Sequence, residues 1–368
     1  SFGNKIGVEV KTSEHIFDLS IGSIVVESSE AIYDEAFVLL GKTTDADTIC
    51  INEECITIDK AITAWCERYN TMYPMTVDQE KGVIETPEYT ANERVHAKKT
   101  IDKPKVIIPV FPGQNCEYDT KQQFERAGAE AEIYVFNNLN VESIERSLKE
   151  LSEKIASAQI LMVVGGFSSG DEPDGSGKFI ANVLSNPSVN KAVQTLLAND
   201  GLILGICNGF QALVKSGLLP YGNFEDASST SPTLFYNDAN QHVAKMVETR
   251  IANTNSPWLA GVEVGDIHAI PVSHGEGKFV VTAEEFAELR DNGQIFTQYV
   301  DFEGKPSMDS KYNPNGSVNA IEGITSKNGQ IIGKMGHSER FEDGLFQNIP
   351  GNKDQHLFAS AVKYFTGK

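Results

Sequence analysis

A cysteine stands between two glycines at the point where an apolar stretch ends and a helical pattern begins. The apolar residues Gly201–Ile206 predict a buried strand, and Cys207 follows them with Gly205 and Gly209 two positions away on either side. Glycines so placed are typical of a crowded strand-to-helix turn that lifts a nucleophile above its sheet. A helix N-terminus also favours the thiolate, so Cys207 is a candidate nucleophile. A buried cysteine that merely precedes a helix is the alternative that this motif leaves open.

Two His-x-Glu pairs could supply the base that a cysteine nucleophile needs. His337 and Glu339 follow a predicted strand over Gln330–Met335, and their spacing places both side chains on one face of an extended backbone. A histidine held by a carboxylate is a suitable base for a thiol. His274 and Glu276 share this spacing, but the glycines around them predict a mobile loop. Spacing does not choose between the pairs; the rigid strand favours His337, and an exposed polar strand end remains the alternative.

The glycine-rich segment Val163–Asp171 also follows a predicted strand. Its paired glycines, Gly165 and Gly166, leave backbone N–H groups free to face an anion, as an oxyanion hole requires. A surface loop is the alternative. A phosphate-binding loop is excluded, because acidic residues follow directly and the Gly-x-x-x-x-Gly-Lys-Ser/Thr spacing is absent. The sequence therefore predicts that this chain does not bind ATP.

Strands and helices alternate from Lys105 onward, and the motifs above lie where predicted strands end. This alternation requires crossover connections and favours an α/β fold with a parallel sheet flanked by helices. In such sheets the active site lies at the carboxyl ends of the strands. The predicted strands are 106–111, 131–136, 159–164 and 201–206, and the predicted helices are 119–127, 141–157 and 189–199.

The sequence pattern of residues 1–85 predicts a small α/β partial domain. Strands are predicted over 5–10, 19–27 and 48–58, and helices over 29–40 and 59–69. Two strand–helix units are too few to cover both faces of a sheet, so an exposed apolar surface is expected. Residues 86–104 are polar and contain proline, which favours a linker before a domain at 105–368. Since the chain begins at Ser1 rather than at a methionine, we expect it to be a piece of a longer protein.

The charge and the cysteines exclude some classes of function. The chain has 31 basic and 51 acidic residues, and its net charge of −20 repels nucleic-acid phosphates. It contains no apolar run long enough to span a membrane. Five cysteines at irregular spacing argue against a disulfide framework and favour the reducing cytoplasm. Cys50, Cys55 and Cys66 lack a Cys-x-x-Cys pair, so they predict structural thiols rather than a zinc site.

Six motifs occur in the order found in the class I (triad) glutamine amidotransferases, which this chain resembles. The resemblance is closest to the glutaminase domains of the phosphoribosylformylglycinamidine synthase family, and it extends from Lys105 to the C-terminus. Two positions depart from that family's common pattern, since Gly336 replaces a proline and Ser169 often has an aromatic counterpart. Neither position bears a reacting group, so neither changes the predicted triad. The motifs span 111–116, 165–171, 205–211, 271–277, 312–317 and 336–340.

The resemblance implies that Cys207 attacks the carboxamide of glutamine. His337 would carry the thiol proton to the departing ammonia, and Glu339 would orient the imidazole. Other residues would bind glutamine or its oxyanion, with no metal or cofactor needed in this part of the enzyme. These predicted binding residues are Gly165, Gly166, Phe167, Asn208, Gln211 and Asn315.

The same resemblance implies a partner and a cofactor outside this chain. Residues 1–85 resemble the tail of an aminoimidazole ribotide synthetase-like domain, and a synthetase half would use ATP and Mg²⁺ to activate formylglycinamide ribotide. Ammonia from glutamine would convert that substrate to formylglycinamidine ribotide in purine biosynthesis. Two alternatives stay open: another cysteine hydrolase of this architecture, such as a peptidase or a deglycase-like protein, and a non-catalytic docking module.

Overall fold

Two units make up the described part of the chain, which comprises residues 2–13, 16–74, 77, 84–91, 96–170, 177–224 and 228–367 of a computed structural model. The first unit is 1–75 and the second is 76–368. The described residues of the predicted linker, 86–104, belong to the second unit. The assignment of 1–85 to a partial domain stays a prediction.

The first unit contains a small sheet and one helix. Its described elements are β1 (Gly7–Val10), β2 (Gly41–Thr44), β3 (Thr48–Ile51), β4 (Glu54–Thr57) and α1 (Ile58–Glu67). The strands lie in the order β2-β1-β3-β4, and only the β1–β3 pair is parallel. The helix α1 begins after Thr57, whose side chain accepts a hydrogen bond from the Lys60 N–H and so satisfies one free donor of the first turn.

Three elements predicted in the first unit are wrong. The single strand predicted over 48–58 is a hairpin of β3 and β4 with its turn at 52–53. Residues 19–27 and 29–40 form no strand or helix. Gly22 has a φ of 87°, which interrupts an extended strand. Just before and within the second stretch, the side chains of Ser28 and Asp34 accept hydrogen bonds from the backbone N–H groups two residues ahead. Such local bonds compete with a helix.

Apolar side chains are exposed throughout this irregular stretch. Leu19, Ile21 and Tyr33 are 91%, 92% and 96% exposed, and Phe17 and Ile24 are exposed beside them in the sequence. The predicted exposure of an apolar surface in the first unit is therefore confirmed.

Cys50 and Cys55 form a disulfide, so the prediction that both are free structural thiols is wrong. The two residues lie directly opposite one another on β3 and β4. This pairing depends on the register of a hairpin, which the irregular spacing of cysteines along the chain does not reveal. Cys66, Cys116 and Cys207 are free.

The second unit contains the strands and helices that position the predicted motifs. The predicted helix 141–157 is confirmed, and the other elements predicted between 105 and 206 differ by only one or two residues at their ends. In chain order the elements are β5 (Lys105–Val110), α2 (Glu117–Arg126), β6 (Glu130–Val135), α3 (Val141–Ser157), β7 (Ile160–Val163), α4 (Lys178–Ser185), α5 (Pro187–Ala198), β8 (Leu202–Ile206), α6 (Asn208–Lys215), α7 (Leu218–Tyr221), β9 (Thr233–Tyr236), β10 (Val243–Ile251), β11 (Ile267–His274), β12 (Glu276–Val280), α8 (Ala283–Asp291), β13 (Ile295–Val300), β14 (Ile321–Thr325), β15 (Ile331–Lys334) and α9 (Leu357–Thr366).

Within the described residues, nine strands form one mixed sheet in the order β11-β10-β13-β14-β15-β8-β7-β5-β6. The strands from β15 to β6 are parallel, whereas those from β11 to β15 are antiparallel. The predicted parallel sheet is thus confirmed for one half of the structure. The antiparallel half is a correction; in it β13, β14 and β15 follow one another without the α-helical crossovers that parallel pairing requires. β9 and β12 form a separate antiparallel pair.

The central parallel strands are buried on both faces. All four residues of β7, Ile160–Val163, are 0% exposed, which explains why the strand is apolar without alternation. Gly165, Cys207 and His337 lie just beyond the carboxyl ends of β7, β8 and β15, which are neighbours in the sheet. The sheet therefore brings the three predicted motifs to one edge. Among the described residues, no helix combines the length and the apolar character needed to cross a membrane.

Candidate active site

The turn at Cys207 holds its backbone in an unusual conformation. Cys207 has a φ of 52°, a left-handed value that is rare for residues other than glycine. A Cβ on Gly205 would lie 2.8 Å from the carbonyl oxygen of Gly209. A Cβ on Gly209 would overlap the carbonyl oxygen of Val163. Crowding at the turn therefore requires both predicted glycines. The Cys207 N–H donates to the carbonyl oxygen of Lys334 (2.8 Å), which anchors the turn to β15.

His337 and Glu339 form a buried pair just beyond β15. His337 Nδ1 and Glu339 Oε1 are 2.5 Å apart, and both residues are 1% exposed. The His337 N–H donates to the carbonyl oxygen of Pro271 (2.8 Å), which fixes the backbone of this turn. With Nδ1 engaged by the carboxylate, Nε2 has no hydrogen-bond partner among the described residues and is free to exchange a proton.

The charges around His337 favour its protonated form. Burial lowers the pKa of His337, but the negative charges of Glu339 and Cys207 outweigh burial and raise this pKa well above its ordinary value. Burial alone would raise the pKa of Glu339, because it disfavours the charged carboxylate. The positive charge of His337 outweighs burial and brings that pKa below its ordinary value. An imidazolium beside Cys207 would stabilise the thiolate, which is the reactive form of a cysteine nucleophile.

Gly165 lies where the side chains of the candidate nucleophile and base approach each other. A Cβ at this position would be 2.9 Å from His337 Cε1, 3.4 Å from Cys207 Cβ and 3.2 Å from Cys116 Sγ. The chain that leaves β7 therefore passes among these three side chains. The first of the distances is too short for real atoms, so only glycine fits here without moving the imidazole ring.

We expect Gly165→Ala to slow the reaction of Cys207 with a glutamine-like electrophile by about 10- to 100-fold. The added methyl group would displace the His337 ring, and a misplacement of about 1 Å can reduce a rate by about 100-fold. The measurement is the rate of labelling, with thermal unfolding as the control for folding. A folded variant that reacts at the wild-type rate would show that the ring is not needed where the structure places it.

His274 differs from His337 in its partner and in its setting, and the predicted mobile loop is wrong. His274 is the last residue of β11 and is 2% exposed. Its Nδ1 lies 3.2 Å from Asn237 Oδ1, and the Asn237 amide donates to the His274 carbonyl oxygen (2.9 Å). Burial, together with His337 and His242, lowers the pKa of His274 to about 3, so this ring is neutral near pH 7. Contacts and charge thus distinguish two histidines that spacing could not.

A cavity of about 250 Å³ opens beside Cys207. Sites for drug-sized ligands occupy roughly 300–1,000 Å³, so this cavity suits a small metabolite. Residues between Tyr236 and His242 form part of its wall and were not predicted as site residues. The polar sequence of that segment is the only signal that could have indicated them. Glu276, at the start of β12, also lines the cavity.

Backbone N–H groups beside the cavity match the predicted oxyanion hole in part. Those of Gly166 and Asn208 have no backbone partner in the described part of the chain, and Asn208 begins helix α6. The Phe167 N–H instead donates to the carbonyl oxygen of Gly113 (2.9 Å), so this amide is not available to an oxyanion. Phe167 contributes to the cavity wall. A helix N-terminus with free N–H groups attracts negative charge.

Asn208 and Gln211 connect the loops around the cavity. Asn208 Oδ1 accepts a hydrogen bond from the Ser168 N–H (3.2 Å), and its Nδ2 donates to Gln211 Oε1 (3.0 Å). Gln211 Nε2 in turn donates to the carbonyl oxygen of Glu276 (2.5 Å). Gln211 lines the cavity, whereas Asn208 is fully buried behind it. Both predicted residues therefore lie at the site, and their amide groups hold its walls together.

Asn315 supports the cavity from behind. Its Nδ2 donates to the hydroxyl of Tyr299 (3.0 Å), and its Oδ1 accepts from the N–H (3.0 Å) and the hydroxyl (2.7 Å) of Ser317. A Cβ on Gly277 would be 2.8 Å from His274 Nδ1 and 3.0 Å from Asn315 Nδ2, so these two side chains are close neighbours. Asn315 was predicted to contact substrate, but its polar atoms are bonded to the protein.

Cys116 brings a second buried thiol to the site. Its sulfur is 3.9 Å from His337 Nδ1 and 3.4 Å from Arg340 Nη2. Cys116, His337 and Glu339 could each offer a ligand atom to a metal ion, since these atoms lie within 4.8 Å of one another. However, His337 and Glu339 already bind each other, and the guanidinium group of Arg340 opposes a second cation. The donor set therefore fits proton transfer better than metal binding.

The chain is similar to known proteins over most of its length. Residues 103–365 match the family described as the CobB/CobQ-like glutamine amidotransferase domain. The phosphoribosylformylglycinamidine synthase subunit PurQ of Methanococcus maripaludis is 35% identical over 240 residues, which cover 64% of this chain and 82% of that protein. The protein of the same name from Sulfurimonas denitrificans is 34% identical over 252 residues, which cover 68% of this chain and 96% of that protein.

A solved structure supports the fold. A chain in the structure of PurLQS from Thermotoga maritima has a TM-score of 0.51 and 24% sequence identity, and the match covers 71% of this chain and 99% of that one. At this identity the likeness bears on the fold alone. With the family match over most of its length, the chain belongs to the CobB/CobQ-like glutamine amidotransferases.

Proposed function

We propose that this chain hydrolyses glutamine to glutamate and ammonia, with Cys207 as nucleophile, His337 as general base and acid, and Glu339 as the residue that orients the imidazole. The observation that carries the proposal is the buried 2.5 Å pair of His337 and Glu339, whose imidazole approaches Gly165 together with the side chain of Cys207. Membership of an amidotransferase family supports the same assignment.

The proposed reaction uses two half-reactions. His337 takes the thiol proton of Cys207, and the thiolate attacks the carboxamide carbon of glutamine. His337 then gives this proton to the nitrogen, the C–N bond breaks, and ammonia leaves a thioester on the sulfur. Water, deprotonated by His337, attacks the thioester; the C–S bond breaks, glutamate leaves and the thiol is restored.

The tetrahedral intermediate of each half-reaction carries a negative oxygen. The N–H groups of Gly166 and Asn208 are the proposed donors to this oxygen, since Gly166 lines the cavity, Asn208 directly follows Cys207, and neither N–H has a backbone partner in the described residues. Removing one such donor typically costs about 100- to 1000-fold in rate. Phe167 and Gln211 would bound the remainder of the glutamine, because both lie on the wall of the cavity.

We infer that ammonia from this site serves a phosphoribosylformylglycinamidine synthase. The relatives from M. maripaludis and S. denitrificans carry that name, and this chain covers 82% and 96% of their lengths. The synthetase half would bind ATP and Mg²⁺, activate formylglycinamide ribotide and receive the ammonia. Residues 1–85 would belong to that half, and the whole enzyme would act in the cytoplasm.

Glutamate release from glutamine tests this function. We expect release by the purified chain, either alone or in the presence of a synthetase partner supplied with Mg-ATP and formylglycinamide ribotide. A peptidase or a deglycase-like hydrolase would instead act on peptides or glycated compounds, and a docking module would release no glutamate in either setting. Release that persists in Cys207→Ser would contradict the assigned nucleophile.

A further inference from the structure

We propose that Glu322 and Lys334 are positioning residues that hold His337 against the nucleophile. This inference rests on the proposed function, because it gives these two residues a role in the acylation of Cys207. Neither belongs to the predicted site, and neither lines the cavity. Both lie beneath the turn that carries the His337–Glu339 pair.

The two residues form an ion pair with no access to solvent. Glu322 lies on β14 and Lys334 ends β15, and these two strands are antiparallel neighbours. Glu322 is 1% exposed and Lys334 is 0% exposed, and Lys334 Nζ lies 3.5 Å from Glu322 Oε1. Charged side chains are almost never buried so completely unless they are paired.

Glu322 fixes the peptide group that precedes His337. Its Oε1 accepts a hydrogen bond from the Gly336 N–H (2.6 Å), and its Oε2 accepts one from the hydroxyl of Thr297. A Cβ on Gly336 would be 2.8 Å from Ile270 Cγ2 and 2.9 Å from Glu322 Oε1, so the turn is packed closely onto the carboxylate. A hydrogen bond to a charged acceptor is stronger than a neutral one and is confined in direction.

Lys334 fixes the residue that follows His337. Its Nζ donates to Ser338 Oγ (2.8 Å) and to Gln355 Oε1 (2.8 Å), and the Ser338 hydroxyl also donates to that amide oxygen (2.6 Å). The ion pair therefore binds the turn on both sides of His337, at Gly336 through the carboxylate and at Ser338 through the ammonium group. The imidazole has little freedom to move when both neighbours are held.

Stability alone does not account for this pair. Burial lowers the pKa of Lys334, although the charges of Glu322 and Glu339 act to raise it, so burying the ammonium group is unfavourable. Replacing a buried ion pair with apolar residues of similar volume is often neutral or stabilising. What an apolar pair could not supply is the two directed bonds to Gly336 and Ser338.

The test compares Glu322→Leu with Glu322→Gln. Leucine removes the acceptor of the Gly336 N–H, whereas glutamine keeps an oxygen that can accept it. With a glutamine-like electrophile we expect Glu322→Leu to lower the maximal rate of Cys207 labelling by about 100-fold, because the imidazole is misplaced. The concentration for half-maximal rate should stay within about twofold of wild type, since the cavity wall is unchanged. Glu322→Gln should react at a rate within about tenfold of wild type.

Arg250→Met is the matched control for the loss of a buried charge. Arg250 is 9% exposed and pairs with Glu88 rather than with the turn that carries His337. It lies opposite Gln298 on β13, and Gln298 lies opposite Ile321 on β14, so the control removes a buried charge from the same sheet. Labelling should be unchanged in Arg250→Met. A loss equal to that of Glu322→Leu would mean that general destabilisation, and not positioning, slows the reaction.

Backbone hydrogen exchange separates this inference from the proposed function. Peptides covering Gly336–Glu339 should exchange faster in Glu322→Leu than in wild type, and Glu322→Gln should restore protection. Wild-type exchange and wild-type labelling in Glu322→Leu would overturn the inference while leaving the function intact. If His337→Ala were labelled at the wild-type rate, the proposed base would fail, and the exchange of this turn would still decide whether Glu322 holds it.

Discussion

Cys207→Ala is expected to abolish glutamine hydrolysis, with a loss of about 10⁶-fold in turnover, the magnitude seen when a hydrolase loses its nucleophile. The turn that carries Cys207 is crowded, strained and joined to β15, so no other side chain can take its position. The measurement is glutamate release at saturating glutamine. Because alanine is smaller than cysteine and equally apolar, the variant should remain folded.

Cys116→Ser is the control for that variant. Cys116 lies near the same imidazole, at 3.9 Å from His337 Nδ1, and it is the other free thiol of the site. Serine keeps a small polar group beside Arg340, so activity should stay within about tenfold of wild type. A dead Cys116→Ser together with an active Cys207→Ala would transfer the nucleophilic role to Cys116.

His337→Ala is expected to lower the acylation rate of Cys207 by about 10⁴-fold, the upper end of what one general base contributes. His274 is a poor substitute, because burial lowers its pKa to about 3, so its ring binds a proton only weakly, and its Nδ1 lies against Asn237 rather than a carboxylate. Glu339→Ala should lower the acylation rate less, by about 100-fold, because it removes the carboxylate that orients the imidazole but leaves the imidazole itself. The measurement is the rate of labelling by a glutamine-like electrophile.

His274→Ala is the matched control, because it removes a second buried histidine, one that lines the cavity beside Cys207. Its labelling rate should fall by no more than about tenfold, and any loss should reflect packing against Asn237. The reverse outcome, with His274→Ala inactive and His337→Ala normal, would make His274 the base. We expect His274 to matter instead for communication with a synthetase partner, measured as ammonia transfer in the complete enzyme.

The sequence predicted the parallel half of the sheet because fully buried strands have a distinctive pattern. Residues of β7 and β8 form continuous apolar runs, and each run ends at a glycine motif. The two glycines around Cys207 stand close together in the sequence, so the motif can be recognised from a few neighbouring residues, although the crowding at Gly209 comes from Val163 on β7. The motif made Cys207 a candidate before its surroundings were known.

Features that depend on long-range register were not predictable in the same way. Cys50 and Cys55 pair because β3 and β4 place them opposite one another. The Glu322–Lys334 pair requires β14 beside β15, and neither residue stands out in the sequence. The choice between His274 and His337 likewise depended on which partner the fold brings to each ring.

The segment from 19 to 40 shows a second reason why prediction fails. Its residues favour a strand over 19–27 and a helix over 29–40, but a strand also needs a partner for its backbone groups. Here Gly22 and the side-chain bonds of Ser28 and Asp34 favour irregular backbone instead, and Leu19 stays 91% exposed. An apolar pattern predicts a strand or a helix only where the remainder of the chain provides a surface that covers the apolar side chains.

The most direct test of the central claim is to map the covalent adduct of a glutamine-like electrophile by mass spectrometry. Cys66, Cys116 and Cys207 are the free thiols that compete for it. The expected result is that Cys207 is labelled faster than any other cysteine and that excess glutamine prevents this adduct. An adduct on Cys116 that glutamine prevents, with Cys207 unmodified, would contradict the assignment of the nucleophile.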